Sequence, residues 1–240
     1  MKDKIILTAH QPTYFPWLGT FHKILLSDVF CFFDIAQYQK KEWDNRNKIL
    51  ISGNESWITV PVLSKNHYSK TIGNIEINND VKWGKKTFRT INLAYKKHPY
   101  YKIHEPFLEN IYLEKKWSKL SDLNIFIYDY ILKILEHDVK LVKASDYNFE
   151  GKKSDLVLDM CKKLNAKTYI FGGEGKNYAN IESFTESKID LVFQNYNHPE
   201  YNQYRLKSSF VPRLSVLDLM MNCEPSKMKE VILTGNITNV

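Results

Sequence analysis

The chain has 240 residues, of which 43% are apolar, 14% aromatic and 25% charged. That is ample for one domain with a large core, and it excludes a disordered chain. The formal net charge is +7, but the lysines come only as doublets such as Lys40-Lys41 and Lys85-Lys86. No run reaches the roughly 5–8 residues of a basic tract, so duplex nucleic acid is not the expected partner, and the mild basicity suits a small anionic substrate.

Lys4 to Ala9 reads as a short buried strand. The next segment, His10-Gln11-Pro12-Thr13-Tyr14-Phe15-Pro16, must be a loop, because its two prolines forbid a regular element. From Trp17 to Leu26 the chain is helical, with Leu18, Phe21, Ile24 and Leu25 on one face. Val29 to Phe33 is a continuous apolar run ending at Asp34. Strand, loop, helix, strand is a βαβ unit and predicts a parallel sheet buried on both faces. Gln37 to Lys48 lacks a period and reads as a surface excursion. Trp57–Val62 and Thr71–Ile77 read as two strands and a candidate pair. Residues 81–138 carry amphipathic helices, with Leu120, Leu123, Ile127, Ile131 and Ile134 on one face, and form a helical insertion. The α/β pattern then returns: strands at Lys140–Lys143, Thr168–Phe171 and Ile189–Gln194, helices at Lys153–Leu164, Ile181–Ser187, Leu214–Met221 and Met228–Leu233. The expectation is one α/β domain over residues 1–240, a doubly wound parallel sheet with helices inserted at 81–138. Three widely spaced cysteines, Cys31, Cys161 and Cys223, read as buried reduced thiols and give no metal-ligand spacing. Ile5-Ile6-Leu7 is too short for a signal-peptide core, and no stretch nears the roughly 18 apolar residues of a membrane span, so the cytoplasm is the expected compartment.

Three loops follow strand ends, where open parallel sheets bind ligands. The first sets His10, Gln11 and Tyr14 at the mouth of a helix whose N-terminus attracts anions. The second, Phe171-Gly172-Gly173-Glu174-Gly175-Lys176-Asn177-Tyr178, combines three glycines able to take φ > 0 with a cation for a phosphate or carboxylate. It has neither P-loop nor dinucleotide-fingerprint spacing. The third, Gln194-Asn195-Tyr196-Asn197-His198-Pro199-Glu200-Tyr201-Asn202-Gln203, is dense in amides and phenols that are costly to order without a partner. Arg46 and Asn47 beside Trp43 read as a substrate clamp or a solvated arm, and Asp218 as part of a capped helix or of the site. No serine or cysteine sits on a nucleophile elbow. His10 remains as a general base or a stabiliser of a leaving phosphate. The catalytic candidates are therefore His10, His198 and Asp218. The binding candidates are Gln11, Tyr14, Asp34, Arg46, Asn47, Gly172, Gly173, Lys176, Tyr178, Gln194 and Tyr201. His10, Lys176 and His198 are expected to face one cavity at one rim of the sheet.

His10-Gln11-Pro12-x-Tyr14-Phe15-Pro16-Trp17-Leu18-Gly19, Ser27-Asp28-Val29-Phe30, Asn45-Arg46-Asn47, Gly172-Gly173-x-Gly175-Lys176, His198-Pro199-x-Tyr201-x-Gln203 and Leu214-Ser215-x-Leu217-Asp218 together resemble the WbqC-like family over nearly the whole chain. The resemblance implies a role in building bacterial surface polysaccharide such as O-antigen lipopolysaccharide. Its members resemble transferases that attach glycine, another amino acid or an acyl group to a nucleotide-linked amino sugar. An acyl group that arrives free would require ATP and Mg²⁺. One that arrives on an acyl carrier protein or an aminoacyl-tRNA would not. A non-catalytic nucleotide-sugar binding or accessory protein is the alternative. The first strand, His loop, helix and Asp34-ended strand are also similar to the nucleotidylyltransferase superfamily, although of its HxGH loop only His10 is present.

Overall fold

The computed structural model describes residues 4–235 apart from 64, 66, 205, 207 and 208. Strand β1 (Ile5–His10) is followed by helix α1 (Leu18–Leu25) and strand β2 (Val29–Phe32). A hairpin of β3 (Arg46–Ile51) and β4 (Asn54–Thr59) leads into helices α2 (Trp83–Tyr95), α3 (Tyr101–Glu109) and α4 (Leu120–Ile134), with one wide turn of π-helix over Asn110–Glu114. Strand β5 (Lys140–Lys143), helix α5 (Ser154–Lys163), strand β6 (Ala166–Phe171), helix α6 (Ile181–Glu186) and strand β7 (Asp190–Phe193) follow, and helices α7 (Val216–Asn222) and α8 (Pro225–Thr234) end the described chain.

The main sheet has the order β5-β2-β1-β6-β7, every neighbouring pair parallel. Among the sheet's own strands in chain order this is 3-2-1-4-5, a doubly wound α/β sheet whose order reverses between β1 and β6. The buried VFCF of β2 occupies the interior of the sheet. Two apolar cores lie on its two sides. One packs Leu7, Cys31, Met160, Cys161 and Phe184 beneath α5 and α6, and the other runs from Tyr14 through Ile91, Leu123 and Tyr128 to Ile232. The helices between β4 and β5 thus share a core with α1, the hairpin and the C-terminal helices.

One strand pair differs from the sequence reading. Residues 57–62 do include the end of β4, but β4 pairs with β3, whose first three residues close the segment read as a surface excursion, from Arg46↔Thr59 to Ile51↔Asn54. Thr71–Ile77 holds a 3₁₀ turn over Ile72–Asn74 and isolated bridges only, Gln37↔Thr71, Glu76↔Lys119 and, between the two segments read as strands, Val62↔Ile77. Ser52 and Gly53 both have positive φ, 52° and 82°, the requirement of a tight two-residue hairpin. The Ser-Gly signal was present, but β3 reads as polar because Arg46 and Lys48 face outward.

The helical insertion positions the loop after β1. Asn124 of α4, fully buried, donates from Nδ2 to Pro12 O at 2.7 Å and to Asp44 O at 2.8 Å. Tyr128 of the same helix meets Thr13 Oγ1 at 3.0 Å, and the Tyr14 and Tyr112 hydroxyls bond each other. Replacing Asn124 by Ala would leave two carbonyls in a dry interior. Asn124→Ala is expected to lower stability by about 1–3 kcal/mol, read as a lower urea midpoint at an unchanged denaturant slope.

Candidate functional site

A cleft of about 940 Å³ opens at the carboxyl end of β1, next to the point where strand order reverses. That is where an open α/β sheet offers a crevice, and the size suits a substrate larger than a single metabolite ring. Three chain segments build it. The end of β1, the loop after it and the first turn of α1 give His10, Thr13, Pro16, Trp17 and Thr20. The hairpin side gives Trp43, Asn47, Lys48 and Glu55. The long connection after β7 gives Tyr196, Asn197, His198, Pro212 and Arg213.

The first wall is held against its own preference. Phe15 is fully buried at φ 42°, in the left-handed region, where a non-glycine residue costs on the order of 1–3 kcal/mol. Asn47 holds it there. Its Nδ2 donates to Tyr14 O at 3.1 Å and Phe15 O at 2.7 Å, while its Oδ1 accepts from Lys48 N at 2.8 Å. Asn47 therefore lines the cleft with its hydrogen bonds already spent on the backbone. The N-terminus of α1 packs against the segment that leads into α7. Trp17 and Ser215 form an antiparallel bridge, and Val216 N donates to Pro16 O at 2.9 Å. Gly19 is required here, because a Cβ would stand 2.3 Å from the Trp17 ring that lies across the first turn.

Two histidines face the cleft, and both are neutral. His10 Nδ1 donates to Gln11 O at 2.9 Å. That bond fixes the proton on Nδ1 and leaves Nε2 as the basic atom. Burial and the nearby Lys23 ammonium push the pKa of His10 down to about 4. Lys23 is itself buried, bonded to Ala9 O at 3.2 Å, and burial lowers its pKa to about 8. His198 stacks nearly parallel on Trp17, ring centroids 6.3 Å apart. Burial, and then the charge of Arg213, lower its pKa to about 4. Both its ring nitrogens are buried and take no hydrogen bond among the described residues, and the same holds for Thr20 Oγ1. Each such group costs about 1–3 kcal/mol unless something polar reaches it. At the rim, Lys48 pairs with Glu55 at 2.5 Å. The exposed Arg213 sits at φ 60° and makes no ion pair among the described residues. Trp43 and Trp57, 43% and 44% exposed, meet at 5.2 Å, with the Arg46 guanidinium 4.2 Å above the Trp57 ring.

Of the residues picked from the sequence, His10, Asn47 and His198 line this cleft, so two of the three expected to share a cavity do so. Lys176 does not line it. It is exposed on the turn after β6, with Nζ 5.9 Å above the Phe193 ring. Several other candidates are hydrogen-bonding parts of the core. Tyr14 is fully buried against Tyr112. Asp34 accepts from Ser145 N at 2.9 Å and Ser145 Oγ at 2.6 Å, tying the ends of β2 and β5 together. Gln194 donates to Gly19 O at 2.7 Å and bonds His22 Nδ1 at 2.8 Å, tying β7 to α1. Asp218 is fully buried and accepts from Tyr95 Oη at 2.8 Å, Tyr201 Oη at 2.9 Å and Gln203 Nε2 at 3.1 Å. It anchors the connection that carries His198, and Tyr201 serves it. Arg46 donates to Lys41 O. Gln11 and Tyr178 are exposed outside the cleft. The glycine-rich turn owes its glycines to packing in one place only. None of the three has positive φ. A Cβ on Gly175 would stand 2.4 Å from Phe171 Cβ, whereas one on Gly172 meets nothing within 4 Å and one on Gly173 only Gln194 O at 3.5 Å. Trp17, Thr20, Trp43, Tyr196 and Arg213 were missed. Trp17 and Thr20 read as ordinary helix residues, and no local pattern marks Arg213.

A doubly wound α/β protein with one polar, aromatic-walled cleft at its switch point is the class that fold and site define. The chain belongs to the WbqC-like protein family, whose model matches residues 11–230. It is 31% identical over 213 residues, 88% of this chain and 91% of the other, to the uncharacterized protein Rv1507c of Mycobacterium tuberculosis. No solved structure matches it. Among the described residues no helix is long and apolar enough to cross a membrane, and no group of three or more His, Cys, Asp or Glu side chains is placed to hold a metal ion.

Two measurements check the site. In an imidazole NMR titration, His10 and His198 should stay neutral down to about pH 5 and protonate near pH 4. The unfolded chain protonates them near the ordinary value of about 6.5. Their share of stability is therefore complete above that pH and lost as pH falls toward 4. On the neighbouring turn, Gly175→Ala should cost about 1–3 kcal/mol by overpacking, while Gly172→Ala should stay within about 0.5 kcal/mol of the parent, both by urea unfolding.

Proposed function

We propose that the cleft binds a nucleotide-linked amino sugar and transfers an aminoacyl or other acyl group to its amine, as a step in surface-polysaccharide synthesis. The observation that carries this reading is His10: a neutral imidazole with its proton fixed on Nδ1 and Nε2 left basic, in a cleft at the switch point of the sheet. The amine nitrogen attacks the carbonyl carbon of an activated acyl group. The new C–N bond forms, the bond to the leaving group breaks with its electron pair, and the proton shed by nitrogen goes to His10 Nε2. An anionic substrate in the cleft offsets the Lys23 charge and raises the His10 pKa toward neutrality, which strengthens the base when it is needed.

Direct attack suits the chemistry better than an acyl-enzyme. Cys31 and Cys161 are buried with thiols pushed up to about 12, and no cysteine lines the cleft. The acyl donor is then either an ester or thioester on a carrier protein or tRNA, or an acyl adenylate made from ATP with Mg²⁺. The exposed Arg213 and Lys48 supply attraction for phosphates in each case.

Incubation with a UDP- or dTDP-linked amino sugar and glycine, with ATP and Mg²⁺ or with a charged carrier, should give a new amide by mass spectrometry. His10→Ala should slow its formation by about 10²–10⁴-fold while leaving binding of the nucleotide sugar nearly unchanged. No amide with any donor class, or full activity in His10→Ala, would overturn the reading.

A further inference from the structure

The exposed and the buried groups of the cleft offer different chemistry. At the rim the groups are charged: Arg213 is unpaired among the described residues and Lys48 shares its charge with Glu55. Against α1 they are neutral, and each both donates and accepts. Thr20 is 1% exposed and its hydroxyl has no partner among the described residues. A helical threonine commonly returns its hydroxyl to the carbonyl one turn back. Here that carbonyl, Pro16 O, accepts from Val216 N instead. His198, which lines the same cleft, presents one N–H and one lone pair, both unused among the described residues. A phosphate or carboxylate can only accept, so it would leave the His198 lone pair unmet. A hydroxyl or amide satisfies both roles at once. Trp17, stacked with His198 and met edge-on by Tyr196 at 5.6 Å, gives the same wall an aromatic surface, the kind of face that packs against the C–H groups of a saturated ring.

We infer that the wall formed by Thr20, His198 and Trp17 is a subsite for an uncharged polyhydroxyl ring. The sugar points inward and the phosphates outward to Arg213 and Lys48. This rests on the reading of the cleft as a nucleotide-sugar site, and it adds the orientation of the substrate and the residues that read its hydroxyl or amide groups.

Thr20→Val separates the two ideas, because it removes a hydroxyl and keeps the shape. Calorimetric titration would use two ligands, a UDP- or dTDP-linked amino sugar and the matching nucleoside diphosphate. Thr20→Val should weaken the sugar-bearing ligand by about five- to tenfold, the worth of one good hydrogen bond, and leave the diphosphate unchanged. Arg213→Gln should weaken both alike. Thr20→Val should also melt at the same temperature as the parent or higher, since it removes an unpaired buried hydroxyl. A threonine kept only for structure would lower the melting point and leave both affinities alone. Equal losses for both ligands, or none for the sugar-bearing one, would overturn the orientation while the nucleotide-sugar reading stands. Failure of the parent protein to bind either ligand would overturn both.

Discussion

Two buried asparagine amides set the position of everything in the cleft. Asn47 and Asn124 together hold the carbonyls of Pro12, Tyr14, Phe15 and Asp44. Backbone groups in a loop have no ladder to satisfy them, and in a dry interior they must be paired. By supplying those bonds from β3 and α4, the protein keeps Phe15 in a left-handed conformation it would not choose alone. The loop then leaves β1 at an angle that puts His10 on the cleft wall and lays Trp17 across the start of α1. The helical insertion is thus the far side of the site's scaffold, because Tyr112, Asn124 and Tyr128 all act on that loop.

The same dryness decides the charge of the cleft. Desolvation is the largest influence on His10, His198 and Lys23, and it disfavours the charged form of each. The result is a cleft with two neutral imidazoles, cations at the mouth, and the Lys23 ammonium, still protonated at neutral pH, beside His10. That arrangement steers an anionic ligand to the entrance. It also leaves two imidazole nitrogens and a hydroxyl waiting for a partner, which is costly in a protein that does not bind anything there.

Residues that look functional in the sequence divide by what their hydrogen bonds close. Asp34 and Gln194 each follow a strand end, as a ligand-binding residue would, and Asp218 sits in the first turn of α7. In the structure their polar atoms join one element to another, and little is left over for a ligand. Chain order carries no record of such closure: Asp34 meets Ser145, and Asp218 meets Tyr95, across separations that no local pattern encodes. The glycine-rich turn after β6 misleads for a related reason. Of its three glycines only Gly175 lacks room for a side chain, and what fills that room is the side chain of Phe171, Cβ first.

The sequence by itself determined the βαβ opening, the parallel sheet and the helical middle. Apolar runs and helical periodicity report burial, and burial is a property each residue carries locally. It also marked His10 and His198, since a histidine in a polar loop after an apolar strand has few structural reasons to be there. Tertiary structure alone decided the hairpin β3–β4, the cleft's membership and the neutrality of its histidines. Thr20, Arg213 and Trp43 come from a helix and two connections, and only the packing of those segments makes them neighbours. A pKa, likewise, depends on how much water the finished fold leaves around a ring.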